Sequence, residues 1–207
     1  MDAAVPQQPF PAAVNYPATF ELDRAEKIAN WRPLVAWLLI IPHAIILGVL
    51  GTVAEIVAFI AWFVILFTGK LPDGMAGLIS LYIRYSNRVS IYSLFMREEY
   101  PPFAFETTAQ DPGDYPAVRT QFAPELENRN RLTVAFRLIL AIPHAIVLGV
   151  LWLVGFFAWI GGFFVVLFTG KWSAGLQEFL LGILRWSTRF YAYVLLLADE
   201  YPPFSME

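Results

Sequence analysis

Two apolar runs, each longer than a bilayer crossing requires, dominate the sequence. The first extends from Leu34 to Phe67 with His43 and Glu55 as its only ionisable residues, and the second extends from Leu132 to Phe168. A straight helix over the first run would be about 50 Å long, whereas the hydrocarbon core of a bilayer is about 30 Å thick. Because 58% of the residues are hydrophobic and only 15% are charged, the runs predict a membrane protein.

The excess length of each run has two explanations. Pro42 cannot continue the helical hydrogen-bond ladder and would free the carbonyl of Leu38, which predicts a kink followed by one membrane-spanning helix of about 25 residues. The alternative is a hairpin that breaks near residues 48–52. The second run poses the same choice, with further weak points at Gly149, Gly155, Gly161 and Gly162.

The sequence is internally duplicated. Residues 41–45, Ile-Pro-His-Ala-Ile, recur as residues 142–146, and the Phe-Thr-Gly-Lys of residues 67–70 recurs as residues 168–171. The Glu-Tyr-Pro-Pro-Phe of residues 99–103 likewise recurs 101 residues later. Repetition at a fixed period indicates repeated structural units. We therefore expect two tandem, pseudo-symmetric membrane repeats.

The repeats set the expected domain boundaries. The Tyr-Pro-Ala of residues 16–18 corresponds to that of residues 115–117, so each unit starts at Tyr-Pro-Ala. We predict a polar N-terminal tail over residues 1–15 and a first membrane repeat over residues 16–103. A linker over residues 104–114 and a second repeat over residues 115–207 complete the chain.

These motifs carry a family resemblance. The Pro-His within an apolar run, the Phe-Thr-Gly-Lys stop, the paired arginines and the closing Glu-Tyr-Pro-Pro-Phe resemble a bacterial membrane-protein family catalogued as domain of unknown function 4389, in two tandem copies. The resemblance covers nearly all of the chain beyond residue 15. It implies an integral membrane protein and attaches no activity, substrate or catalytic residue to any position.

After each Phe-Thr-Gly-Lys a second helical segment of about 22 residues is predicted, with polar side chains on one stripe. The fold class expected is therefore all-α, each repeat combining a long Pro-kinked apolar segment, or a hairpin, with an amphipathic helix. The stripes contain two arginine pairs, Arg84 with Arg88 and Arg185 with Arg189. Buried arginines need a compensating partner. An anionic lipid or the carboxylates of a partner protein would match the guanidinium group. The structural alternative is that the arginines lie at the water interface or pair with backbone carbonyls, Glu55, Glu99 or Glu200.

Three other residues in the apolar runs are candidates for function. His43 and His144 follow Pro42 and Pro143 directly, so each could form a polar site at a helix kink or relay protons. A metal site would need further ligands that the surrounding sequence does not supply, and we expect no metal and no cofactor. Glu55 has no counterpart, since Phe156 occupies the matching position. Glu55 is a possible ion site, or a solvent-exposed residue at the turn if the run forms a hairpin.

Composition and motifs narrow the function. The net charge of −3 and the absence of a basic cluster disfavour a nucleic-acid partner, and zero cysteines exclude disulfides and thiolate chemistry. No phosphate-binding loop, nucleophile elbow or His-Glu-x-x-His motif occurs, so we expect no enzyme activity. Basic residues near the N-terminus and in the linker predict a multi-pass protein of the cell membrane with both segments in the cytoplasm.

The function expected is a non-catalytic accessory or scaffold subunit of a larger membrane complex, or an organiser of lipid. One alternative is a small transporter or channel with its site between the repeats. Another is a protein that shapes membrane curvature with hairpins.

Overall fold

The computed structural model describes residues 16–207, which fold into helices and one small β-ribbon. The predicted tail over residues 1–15 lies outside the described residues. The helices are α1 (Arg32–Leu39), α2 (Ile41–Thr68), α3 (Asp73–Ser93), α4 (Arg131–Thr169) and α5 (Ala174–Val194). The strands are β1 (Ala18–Leu22) and β2 (Val118–Phe122). In each copy, a long apolar helix is followed by a shorter polar one, as the sequence predicts.

Neither apolar run forms a hairpin. In the first copy the helix is interrupted at Ile40, two residues before Pro42, and α2 then continues through residues 48–52 to Thr68. In the second copy α4 is continuous over 39 residues with Pro143 inside it. The hairpin considered for the second copy is therefore absent. Pro143 removes the donor for the carbonyl of Ile139, and the next carbonyl, that of Leu140, accepts a hydrogen bond from Tyr201 Oη at 3.1 Å.

A two-stranded antiparallel ribbon corrects the all-α prediction. β1 pairs with β2 in a register centred on Phe20 opposite Thr120. Alternate residues of the strands are buried, which is typical of a ribbon with one packed face. β1 packs on α5 and β2 packs on α3, so the lead-in strand of each copy lies on the polar helix of the other. β2, near the start of the second predicted repeat, is consequently packed against the inner helices rather than free in solvent.

The Phe-Thr-Gly-Lys motifs end the long helices. Gly69 and Gly170 have φ of 72° and 66°, the left-handed conformation that glycine adopts without strain at a helix C-terminus. The preceding Thr68 accepts a hydrogen bond from the amide of Lys70 at 3.1 Å, and Thr169 does the same for Lys171 at 3.2 Å. The motif is therefore a local stop signal for the helix.

Each helix end is also closed by the other copy. The amide of Arg129 donates to the carbonyl of Gly69 at 3.0 Å, and the amide of Ile28 donates to the carbonyl of Gly170 at 2.8 Å. Donors and acceptors in these two bonds are separated by the same 101 residues as the sequence motifs. The two copies are thus joined through reciprocal backbone contacts.

The most apolar helices lie outside and the polar helices lie inside. Six of the 28 residues of α2 and eight of the 39 residues of α4 are buried, all on one stripe of each helix. By contrast, 13 of the 21 residues of α3 and 12 of the 21 residues of α5 are buried. α2 and α4 are also the two helices long and apolar enough to cross a membrane. This distribution reverses that of a water-soluble core.

Replacing two helical glycines by alanine distinguishes the effect of close packing on stability from the effect of helix propensity. A Cβ atom at Gly77 of α3 would lie 2.1 Å from the carbonyl oxygen of Thr107, whereas one at Gly48 of α2 would meet no atom within 4 Å. We expect Gly77→Ala to lower the melting temperature in detergent, because the linker backbone must move. Gly48→Ala should leave it unchanged or raise it, since alanine favours helix by about 1 kcal/mol. Equal effects of the two changes would contradict the close approach of the linker to α3.

Candidate functional site

The arginine pair of α3 is buried and satisfied by the linker. Arg84 and Arg88 are each 2% exposed. Arg84 donates to the carbonyl of Thr108, and Arg88 donates to Asp114 at 2.8 Å and approaches Asp111 at 3.5 Å. Burial lowers the pKa of Arg84, opposed mainly by the charge of Asp111. Both guanidinium groups therefore have acceptors inside the chain, and the carboxylates are not those considered from the sequence.

The matching pair of α5 is satisfied differently. Arg189 is 4% exposed and donates to the carbonyl of Glu207 at 2.6 Å and to that of Ser205. Arg185 forms an ion pair with Glu178 at 2.6 Å, and its side chain is 26% exposed. Of the four arginines proposed to contact an anionic lipid or a partner, Arg185 is the most accessible.

A small polar cluster lies where α3 and α5 meet. The amide nitrogen of Asn87 donates to the hydroxyl oxygens of Thr120 at 3.1 Å and Thr188 at 3.0 Å. The hydroxyl of Thr188 lies 3.2 Å from the amide oxygen of Asn87. Asn87 and Thr188 occupy matching positions of the two copies, and Thr120 belongs to the centre of the ribbon. The cluster fixes the two inner helices and the ribbon against one another.

His43 lies in an aromatic pocket rather than in a metal site. Its Nδ1 is 2.6 Å from the hydroxyl oxygen of Tyr85, and its ring stacks on Phe103 with centroids 4.5 Å apart. Tyr100 contacts the same ring and donates to the carbonyl of Leu39 at 3.1 Å. The Glu-Tyr-Pro-Pro-Phe motif therefore folds back onto the Pro-His motif and covers the histidine.

His144 has the same arrangement in the second copy. It stacks on Phe204 with centroids 3.9 Å apart, and Tyr201 contacts the ring. Trp186 Nε1 lies 3.0 Å from His144 Nδ1. Since an indole nitrogen can only donate, Nδ1 accepts and a neutral His144 carries its proton on Nε2. Within residues 16–207 no group of three or more His, Asp or Glu residues is placed to hold a metal ion.

Glu55 projects from the exposed side of α2, in the middle of that helix. It lies seven residues before Trp62, whose indole nitrogen donates to the carbonyl of Val134 in α4 at 2.9 Å. Positions seven apart lie on nearly the same side of a helix. Glu55 therefore lies on the side of α2 that carries Trp62, where its own side chain is exposed, and α2 has no hairpin turn at that position.

Sequence reasoning did not identify a second polar cluster at the start of α4. Asp199 accepts from both Arg129 and Arg137 at 2.5 Å. Burial alone would raise the pKa of Asp199, but hydrogen bonds from Arg129 and the amide of Asn130, with the positive charges of both arginines, lower it below its usual value. The signal that could have revealed the cluster is Arg137 itself, a charged residue inside the second apolar run.

The interlocking role of the Tyr-Pro-Ala motifs was also not predicted. Tyr16 Oη donates to the carbonyl of Glu200 at 3.0 Å, and Tyr115 Oη donates to the carbonyl of Glu99 at 3.2 Å. Each tyrosine thus joins the start of one copy to the closing motif of the other. Equivalent residues of the two copies make these bonds. The spacing of the motifs therefore indicated that the two tyrosines have the same role, but only the fold shows that each one bonds to the opposite copy.

The comparison with known proteins agrees with the motif pattern. The family model described as a domain of unknown function (DUF4389) matches residues 31–104 and again residues 131–206. The chain belongs to this family. It contains the domain in two tandem copies, as the repeated motifs predicted. No curated protein and no solved structure matches the chain.

The two arginine pairs predict different responses to substitution. Arg88→Met would leave Asp111 and Asp114 without their buried partner, and we expect a loss of about 3 to 5 kcal/mol in the free energy of unfolding. Arg185→Met, in a partly exposed pair, should cost less than about 1 kcal/mol. Denaturant unfolding in detergent measures both.

A double variant serves as the control for the buried pair. Adding Asp114→Asn to Arg88→Met removes one of the uncompensated charges, so it should recover part of the lost stability. If Arg88→Met and Arg185→Met cost the same, the buried network around Arg88 would be contradicted.

Proposed function

We propose that this protein is a non-catalytic membrane scaffold, an accessory subunit that contacts lipid through α2 and α4 and offers its ribbon side to a larger complex. The observation that supports the proposal is the exposure of the most apolar helices around buried polar ones. α2, about 42 Å long, and α4, about 58 Å long, are each about 10 Å wide and together present an apolar face on the order of 1,000 Å², well above the patches usual on soluble proteins.

The proposal includes two pseudo-symmetric halves in the cell membrane. Contacts that recur 101 residues apart, such as those at Gly69 and Gly170, favour it. Several membrane crossings, a cytoplasmic N-terminus and a cytoplasmic linker remain predictions from the sequence. The proposed contact with anionic lipid is at Arg185, because it is the least buried of the four arginines.

Removing the apolar character of the outer face should release the protein from membranes. Ile139, Ile146 and Phe157 are each more than 60% exposed on α4. Changing all three to Asp should move the chain out of the membrane fraction after an alkaline wash, because burying a carboxylate in lipid is costly.

The matched control carries the same added charge on the ribbon side. Gln110, Ala123 and Asn128 are exposed polar or small residues of the segment between α3 and α4, and changing these three to Asp should leave membrane residence intact. If the Ile139, Ile146 and Phe157 variant remains in the washed membranes, contact of this face with lipid is refuted.

A transporter is the second candidate, and Glu55 is the observation that favours it. An acidic residue in the middle of an apolar helix is a candidate proton or cation site. The curvature hypothesis loses its structural basis, because it required hairpins and both long helices are continuous at the positions where the hairpins would turn.

Ion flux into proteoliposomes distinguishes the scaffold from the transporter. For a scaffold we expect the proton flux of vesicles containing the protein to equal that of empty vesicles, and Glu55→Gln to change nothing. A flux that depends on the protein and disappears in Glu55→Gln would replace the scaffold by a transporter. Glu127→Gln, at an exposed residue paired with Lys70, is the control for loss of one carboxylate.

A further inference from the structure

The long helices of the two copies run antiparallel. Arg129, just before α4, bonds to Gly69 at the end of α2, and the amide of Leu71 bonds to the carbonyl of Leu126 at 2.8 Å. These residues define the first end of the molecule. Ile28, before α1, bonds to Gly170 at the end of α4 and defines the second end.

Two non-helical segments must therefore run from one end of the molecule to the other. α3 finishes at the second end, where the carbonyl of Phe95 accepts from Trp172 at 3.0 Å, whereas α4 starts at the first end. The connecting residues 94–130 contain no helix. Residues 16–31 also connect the two ends, because Tyr16 bonds to Glu200 beside the Asp199 cluster and Ile28 bonds to Gly170.

These segments lie on the side of the inner helices opposite the long helices. α3 contacts α2 through Tyr85, which bonds to His43, and through Tyr82, which lies against Gly51. The residues of α3 that contact the linker and ribbon, Arg84, Asn87 and Arg88, are about half a helical turn away.

The same separation holds for α5. It faces α4 through Trp186, which bonds to His144. On its far side, about 160° around the helix from Trp186, Thr188 accepts from Asn87 at 3.0 Å, and the same amide nitrogen donates to Thr120 of the ribbon. The molecule thus has one apolar face made by α2 and α4 and one polar face made by the ribbon and linker.

An upright, membrane-crossing orientation conflicts with this arrangement. The ribbon packs on the inner helices at the Asn87 cluster, between the two ends, and it bears an ion pair of Arg119 with Asp23 in which the aspartate is 57% exposed. Upright helices would place this exposed pair and its non-helical backbone at bilayer depth, where unsatisfied backbone groups cost several kcal/mol each.

Length gives the second argument. Exposed apolar residues line α4 from Leu132, 72% exposed, to Phe168, 77% exposed. This distance is about 55 Å along the helix, so an upright helix would leave apolar side chains in water on both sides of a core of about 30 Å. A helix parallel to the membrane plane has no such mismatch.

We propose that α2 and α4 lie flat within one leaflet, side by side and antiparallel, with α3 and α5 above them and the ribbon and linker in water. The protein is then monotopic and does not cross the bilayer, and this orientation replaces the several crossings predicted from the sequence. The inference rests on the proposed lipid contact and specifies its geometry. Glu55 is exposed on α2, seven residues before Trp62, whose indole nitrogen bonds to Val134 of α4.

Spin-label depth measurements test the orientation. The chain has no cysteine, so single cysteines can be placed at Ile139, Ile146, Phe157 and Phe164, which are all more than half exposed and lie on one side of α4. The purified full chain is reconstituted into vesicles of phosphatidylethanolamine and phosphatidylglycerol, and accessibility to oxygen and to a water-soluble nickel complex gives the depth of each label. A label at Gln110 of the linker is the water-exposed control.

A flat helix puts all four labels at about the same depth, shielded from nickel, with Gln110 open to it. The outer labels are about 38 Å apart, so an upright helix would put Ile139 and Phe164 near opposite headgroup regions and Ile146 and Phe157 near the centre. That depth profile would overturn the flat orientation and leave the lipid contact standing. Four labels as open to nickel as Gln110, or shielded from both reagents, would refute the lipid contact itself.

Discussion

Buried arginines inside a molecule with an apolar exterior are the constraint on which the fold depends. Arg84, Arg88 and Arg189 lie on the inner helices with almost no exposure, and a buried charge without a partner would cost several kcal/mol. Acceptors come from segments without helical structure, namely the linker for α3 and the residues after α5. The ribbon, the linker and the closing segment therefore cover the polar stripes, and α2 and α4 cover the remaining sides of the inner helices.

Reciprocal exchange makes the two copies one structural unit. The lead-in of each copy closes the long helix of the other, as Arg129 does for Gly69, and each Tyr-Pro-Ala motif bonds to the closing motif of the opposite copy, as Tyr16 does to Glu200. A single copy would keep its helix pair but would lose its ribbon partner and the hydrogen bonds that close its ends. The duplication thus supplies contacts that one repeat cannot make within itself.

The sequence predicted the features that depend on local patterns, while long-range partners needed the structure. The tandem repeats, the long apolar helices, the polar second helices and the glycine stops follow from periodicity and spacing, and the family match supports the repeats. The ribbon was not predicted, because its two strands are only five residues each and lie about 100 residues apart in polar segments. Asp111, Asp114 and Asp199 were equally hidden, since nothing local distinguishes a carboxylate that folds onto a buried arginine from one in water.

The differences between the copies show that the buried polar side chains need a hydrogen-bond partner, whereas the residue that supplies it can vary. Arg88 and Arg189 occupy matching positions, yet one bonds to carboxylates and the other to carbonyls. His43 and His144 both stack on the phenylalanine of the closing motif, but their Nδ1 partners are a tyrosine hydroxyl and an indole nitrogen. In each case the need for a polar partner is kept while its chemistry changes. That pattern is typical of positions whose role is to satisfy buried polar groups.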